Sequence, residues 1–246
     1  MLRIFFVYLL VENEYIMMTD FEKFAVSQGI GTGKIDGFAK YNMKNGIIEP
    51  YILEERTLNC APMSVFSRLM YDKIIFLGTG INDDVANIIT AQLLYLNSVT
   101  DKDEDIKLFI NSGGGSIDCG MAILDIMDFV DPDVSTYCIG TCASMAAVLL
   151  SSGAQGKRFS LPHSKTMIHQ PMSSVGPYTQ ESDFKIAYDE LKKAKDMLYQ
   201  ILSKNTGKSI EEITADADRD HWFTAEECLP GVYGPLGLID KIVTKK

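Results

Sequence analysis

The chain has 246 residues, 46% of them hydrophobic and 23% charged, an ordinary balance for a globular protein with room for one large core or two small ones. Its formal net charge of −10 argues against a nucleic-acid partner, because binding phosphates needs a basic face and the sequence shows none. The five cysteines, Cys60, Cys119, Cys138, Cys142 and Cys228, lack metal-ligand spacing, so no metal is expected and a reduced, cytoplasmic protein is the simplest inference.

An apolar run, Ile4 to Val11, follows Arg3. It resembles a short signal-peptide core, yet it meets Glu12, Asn13 and Glu14 with no small-residue cleavage site and is far too short to cross a bilayer. No membrane attachment is expected, and Met17 or Met18 is the expected true start. From Met18 to about Glu49 the sequence is rich in glycine and lysine with no sustained period, so residues 1–49 are read as a mobile extension ahead of a domain over 50–246. The Gly-Thr-Gly-Lys at 31–34 is no phosphate-binding loop, because Lys34 is followed by Ile35 instead of Ser or Thr and the glycine spacing is wrong. The Gly-Ala-Gln-Gly-Lys-Arg at 153–158 fails the same test. No nucleotide or other cofactor is therefore expected, and any energy dependence has to come from a partner.

Beyond Pro50 strands and helices alternate. Lys73 to Leu77 reads as a strand, and Asp83 or Asp84 caps a helix whose Val85, Ile88, Ile89, Leu93 and Leu96 recur at helical spacing. Ile106 to Ile110 is the next strand, followed by the turn Asn111-Ser-Gly-Gly-Gly-Ser116 and a helix to Val130 carrying Met121, Leu124, Ile126, Met127 and Phe129. Val134 to Ile139 is a strand and Ser144 to Leu150 a short apolar helix. Short strands fill the stretch from Phe159 to Ile168. An amphipathic helix covers 179–204, with Phe184, Ala187, Tyr188, Leu191, Ala194, Leu198, Ile201 and Leu202 on one stripe; it is long for one small core, so it either packs on its own domain or meets another subunit. Gly207 ends it. A short helix from Ile210, the segment Asp216 to Phe223, a helix from Thr224 and a strand Leu238 to Val243 complete the chain. Strands joined through helices of this length imply parallel crossovers, hence an α/β layer fold.

Two glycine turns, at 113–115 and at 140, then fall at corresponding strand ends, where parallel α/β folds gather their chemistry. Glycines let a backbone approach a ligand closely, which suits Gly114 and Gly115 as amide donors. Ser144 lies where a strand becomes a helix, beside N–H groups with no intrahelical partner. It is either the N-cap of a core helix or a nucleophile whose attack on a carbonyl those amides would support. A serine nucleophile needs a base of near-neutral pKa. The chain has three histidines, His163, His169 and His221. His169 closes an apolar strand at an element edge; His163, in a Leu-Pro-His-Ser turn, is expected to face solvent, and His221 is a second candidate. The orienting acid could be Asp216, Asp218 or Asp220, and spacing does not choose among them.

Gly140-Thr-Cys-Ala-Ser-Met145 resembles the nucleophile motif of the ClpP family, the caseinolytic serine peptidases, and Met167-Ile-His-Gln-Pro171 its histidine motif. Asp218-Arg-Asp-His-Trp-Phe-Thr-Ala225 is similar to the family's aspartate segment. Similarity also covers 50–56, 66–69, 74–77, 109–112 and 156–158. The resemblance implies a ClpP/crotonase-type α/β fold of repeated β-β-α units with a projecting handle helix. It implies a serine endopeptidase with Ser144 as nucleophile, His169 as base and Asp220 as orienter, and backbone N–H groups of Gly115 and Met145 as oxyanion donors. Gly114, Gln170, Pro171 and Met172 would bind substrate. Also implied are two stacked heptameric rings, a tetradecamer, acting on unfolded polypeptides. An ATP-driven unfoldase of the ClpX, ClpA or ClpC type would dock at Phe109, Tyr137, Ile139, Phe159 and Leu161. A weakly active ring subunit is the main alternative, and an acyl-CoA enzyme of the crotonase class a more distant one. Three departures stand out. Gly113 replaces the family's common proline, which is expected to loosen the oxyanion turn; the loop 172–177 differs; and the segment 229–236 is expanded, which leaves the path after Asp220 open.

Overall fold

The computed structural model describes residues 51–56 and 59–244; the extension over 1–49, its expected mobility and the expected start lie outside them. The chain divides into two units, 1–68 and 69–246. In the first, strands β1 (Tyr51–Arg56) and β2 (Asn59–Ser64) form an antiparallel hairpin with Tyr51 opposite Ser64 and Arg56 opposite Asn59. Helix α1 (Val65–Tyr71) carries the chain across the division.

The second unit is the expected α/β fold. Its elements are β3 (Ile74–Leu77), α2 (Asp83–Val99), β4 (Ile106–Ser112), α3 (Ile117–Phe129), β5 (Val134–Ala143), α4 (Met145–Ser151), β6 (Arg158–Ser160) and β7 (Lys165–Ile168). There follow α5 (Glu181–Thr206), α6 (Ile210–Asp216), β8 (His221–Thr224), a 3₁₀ turn (Glu226–Cys228) and β9 (Lys241–Ile242). The sheet runs β3-β4-β5-β6-β9, with all these neighbours parallel. Strand β5 does double duty. Its first half, Thr136 to Cys138, pairs with β6, and its second half, Thr141 to Ala143, pairs with β7, which carries β8 antiparallel on its far side.

The change of partner has a local cause. Between Ile110↔Cys138 and Ser112↔Cys142 the β4–β5 register shifts, so β5 carries extra residues around Gly140. Gly140 takes φ 78°, and a Cβ there would lie 2.8 Å from Asn111 Oδ1, so glycine is required. Asn111 Oδ1 accepts the Thr141 N–H at 3.2 Å, and Ser164 Oγ accepts the Gly140 N–H at 3.0 Å while donating to Cys138 O at 3.0 Å. The bulge is thereby clamped from both flanks, and it redirects the strand end toward the β4 turn.

The core lies between the sheet and helices α2, α3 and α4. Alternate β4 residues Ile106, Leu108 and Ile110 are fully buried, and every residue of α4 is buried. A seven-residue helix that is apolar all round is held by burial, since its length alone gives it little stability. Asn82, one residue before the expected acidic cap, caps α2 by accepting the Val85 N–H at 2.9 Å. Ile88 and Phe129, read as core-facing, are 55% and 70% exposed. In α5 the C-terminal part packs down through Leu198, Tyr199 and Leu202, whereas Phe184, Ile186 and Tyr188 in its first turns stand 55–62% exposed. Gly207 closes α5 in the left-handed conformation, its N–H donating to Ser203 O.

The C-terminal stretch departs most from expectation. The helix expected from Thr224 is only the 3₁₀ turn, with Thr224 and Glu227 bonded to each other across it; Leu229 is extended ahead of Pro230. The expected strand 238–243 pairs only over Lys241–Ile242, while Leu238 and Ile239 turn into the core at 0% exposure. The expanded segment between them folds as a local turn, with Gly231 N–H donating to Gly234 O at 2.8 Å and Leu236 N–H to Thr206 O at 2.9 Å. Among the described residues no helix is long and apolar enough to cross a membrane.

Candidate active site

Ser144 follows directly on β5 and precedes the first residue of α4, with φ 56° and ψ −125°. Such a backbone is strained by roughly 1–3 kcal/mol for a residue other than glycine, a cost met at functional turns between strand and helix. It is held in place by the Ser144 N–H donating to Met167 O at 2.8 Å on β7 and by Ser144 O accepting from Ala147 N–H at 2.9 Å. Although Ser144 occupies the N-cap position, its side chain makes no cap bond. Its hydroxyl instead lies 2.8 Å from His169 Nε2.

His169 is the residue immediately after β7. Its Nδ1 is 3.1 Å from Asp220 Oδ1. The juxtaposition is made by the β7–β8 ladder, which pairs Lys165 with Thr224 and ends at Ile168↔His221; His169 and Asp220 are the next residues on each side. The His169 side chain is 13% exposed and that of Asp220 64%. Of the other candidates, His163 is exposed, and His221 rests on Phe223 with its Nδ1 3.2 Å from Asp216 O. The Asp216 carboxylate is paired with Lys208. Asp218 meets Gln170, whose amide donates to the Asp218 carbonyl at 2.7 Å. The Gln170 side chain thus ties the aspartate turn to the histidine strand. Burial pushes the Cys142 thiol well above its ordinary value and that of Cys228 up to about 12, so neither is a ready nucleophile.

The turn after β4 lies against Ser144. A Cβ on Gly114 (φ 87°) would sit 2.5 Å from Ala143 O and 2.8 Å from Ser144 Cβ, and one on Gly115 (φ 154°) 2.1 Å from Ile81 O. Neither position admits a side chain. Gly114 O accepts the Ile81 N–H at 2.8 Å and Ser116 N–H donates to Ile81 O at 2.9 Å, a parallel bridge centred on Gly115. The N–H of Gly115 itself therefore points away from Ile81. Met145, as the first residue of α4, has an N–H with no intrahelical partner. Gly120 on α3 makes room for the Met145 side chain, whose Cγ would lie 2.2 Å from a Cβ there. The turn expected to be loose at Gly113 is pinned on either side of that residue.

A cleft of about 100 Å³ opens between Ser144, His169 and Gly115; Pro171 and Met172 line its edge, and Ile117, Val148 and Leu202 are among its apolar lining. Away from it, on the outward face of the sheet, Phe109, Tyr137 and Phe159 stack in register across β4, β5 and β6, with ring centroids 4.5 and 4.8 Å apart. Leu161 is 40% exposed, and Ile139, in the bulge, is half-buried. Register also places Phe76 of β3 beside Phe109, a neighbour that strand alternation from Lys73 could have revealed. Asn111 and Ser164 are not legible in the sequence as site-shaping residues, because their partners Thr141 and Gly140 are distant along the chain; Ser112, bonded to Gly114 only two residues on, could have been read from the turn itself.

The Clp protease family model matches residues 59–246. Among curated proteins, the chain is 48% identical over 230 residues to an ATP-dependent Clp protease proteolytic subunit of Bacteroides fragilis strain YCH46, covering 93% of this chain and 100% of the relative. It is 48% identical over 229 residues to the subunit of the same name from Porphyromonas gingivalis, covering 93% and 99%. A third, from Bacteroides thetaiotaomicron, is 47% identical over 230 residues, covering 93% and 100%. A family pattern that spans the whole unit holding this cleft, with relatives this similar along nearly all of both chains, places the chain in the Clp protease family.

Proposed function

We propose that this Clp-family serine endopeptidase cleaves unfolded polypeptides with Ser144, His169 and Asp220. The observation that carries the reading is the unbroken line from Ser144 Oγ through His169 to Asp220, at 2.8 and 3.1 Å. Ser144 Oγ attacks the scissile carbonyl while His169 Nε2 takes its proton, and the Gly115 and Met145 amides receive the charge that develops on the carbonyl oxygen. His169, now protonated and steadied by Asp220, gives that proton to the departing amine. Water then enters by the same route in reverse, and the acyl group leaves Ser144 as a carboxylate.

The chain from Gln170 to Tyr178 would hold substrate backbone as an added strand, with Gly114, Pro171 and Met172 beside the scissile bond. Gln170 would contribute through its backbone, since its amide is engaged with Asp218. The apolar cleft suits a substrate side chain next to that bond. Clp protease subunits work in ring assemblies with Clp ATPases; for this chain two stacked heptamers in the cytoplasm are proposed, joined through the exposed first half of α5. An unfoldase would dock on the aromatic row of Phe109, Tyr137 and Phe159 with Ile139 and Leu161. The 1–49 segment is proposed to be an extension to the peptidase domain over 50–246.

Treating the assembled protein with a fluorophosphonate probe and mapping the adduct tests the reading. Label at Ser144, lost in Ser144→Ala together with roughly 10⁴- to 10⁶-fold of the peptide turnover, is the expected result. A labelled residue elsewhere, or full turnover in Ser144→Ala, overturns it.

A further inference from the structure

The residue that closes β4 is tied to the residue two positions on. Ser112 is 3% exposed, and its Oγ accepts the Gly114 N–H at 3.1 Å. On one side Ser112 is fixed to the nucleophile strand through its register with Cys142, two residues before Ser144. On the other, the bridge to Ile81 holds Gly114 O and Ser116 N–H. Gly113 is the joint between the two anchors, and the space beside it is open: a Cβ built there meets nothing within 4 Å. The Ser112 hydroxyl spans that joint and is the one side-chain bond found across it among the described residues.

We propose that Ser112 is a positioning residue for the oxyanion hole. Its hydroxyl fixes the peptide between Gly113 and Gly114, and together with the Ile81 bond to Gly114 O it sets the turn at Gly114 that carries the Gly115 N–H toward the carbonyl that Ser144 attacks. It supplies the restraint across position 113 that a proline gives by locking φ. The proposal rests on the reading of Gly115 as an oxyanion donor. Ser112 touches neither substrate nor reacting atoms, so its loss acts only through the geometry of a donor used most strongly in the transition state.

The test is steady-state peptide hydrolysis by the assembled protein carrying Ser112→Ala, Gly113→Pro, or both. Removing an oxyanion donor outright costs roughly 10²–10³ in kcat, so loosening one is expected to cost about tenfold, with KM little changed. Gly113→Pro in the Ser112→Ala background is expected to restore most of that kcat. Residue 112 is already extended, as a residue before proline must be, and no clash awaits the ring's Cβ. Unchanged kcat in Ser112→Ala, a loss that proline does not relieve, or a loss matched by a fall in assembled mass overturns the assignment. Failure of the wild-type protein to be labelled at Ser144 would instead sink the active-site reading beneath it.

Discussion

Ser144 and Lys73 are the two residues other than glycine with positive φ among those described. Of the two, Ser144 is the one in line with a histidine and a carboxylate. Its strain is sustained because β7, the same strand that brings His169, also accepts its backbone N–H. Such a residue is partly legible in sequence: the strand-to-helix switch at 144 marks a strained turn, yet whether the hydroxyl caps the helix or faces a base depends on a strand more than twenty residues away. The choice among Asp216, Asp218 and Asp220 was closed to spacing for the same reason, since it depends on the β7–β8 register. The three acids have different partners, Lys208, Gln170 and His169 in turn, and mutation should separate them. Asp220→Asn is expected to lower kcat by about 10⁴-fold by favouring the wrong imidazole tautomer. Asp218→Asn is expected to change it by less than about threefold, because Gln170 bonds chiefly to the Asp218 backbone carbonyl. Peptide hydrolysis by both variants under saturating substrate gives the ranking, and the reverse order would reassign the orienting acid.

At the level of elements, periodicity located what burial alone decides: α2, β4, α3, β5, α4 and α5 fall close to where apolar spacing puts them. It did not find β8, a four-residue strand of mixed polarity whose pairing is decided by β7, nor the early end of the helix from Thr224. The C-terminal elements are held instead by one buried cation. The Arg158 side chain is 1% exposed and donates to both Asp240 carboxylate oxygens, at 2.6 and 3.0 Å. It also reaches the carbonyls of Ser151 at the end of α4, Asn205 near the end of α5, and Leu236 and Gly237. The expanded 229–236 segment is thus anchored at its exit, and Asp220 keeps its place despite it. Asp240→Ala leaves a guanidinium buried without its counter-charge, so it is expected to destabilise the fold by about 3–5 kcal/mol. Chemical denaturation followed by far-UV circular dichroism measures this; a loss below about 1 kcal/mol would mean that the carbonyls alone satisfy Arg158.

Considered as a whole molecule, the chain leaves much apolar surface open. Phe184, Ile186 and Tyr188 on α5 stand 55–62% exposed, and Tyr95 and Val99 on α2 53% and 56%. A helix of 26 residues, about 39 Å long, packs into its own unit mainly by its C-terminal half. The amphipathic stripe in the sequence runs the full length of α5, so sequence gave no sign of where the unit's own core stops covering it. Tyr188→Asp places a charge on the uncovered half and is expected to halve the assembled mass, from paired to single rings, without altering subunit unfolding. Analytical ultracentrifugation reads the outcome, and an intact double-ring mass would remove α5 from that interface. One further property follows from β8. Trp222 is the sole tryptophan of the chain; it lies half-exposed opposite Met167, two residues from Asp220. The protein thus carries a native fluorophore on the strand that follows Asp220, and indole emission reports the solvent exposure and surroundings of that strand with no dye attached.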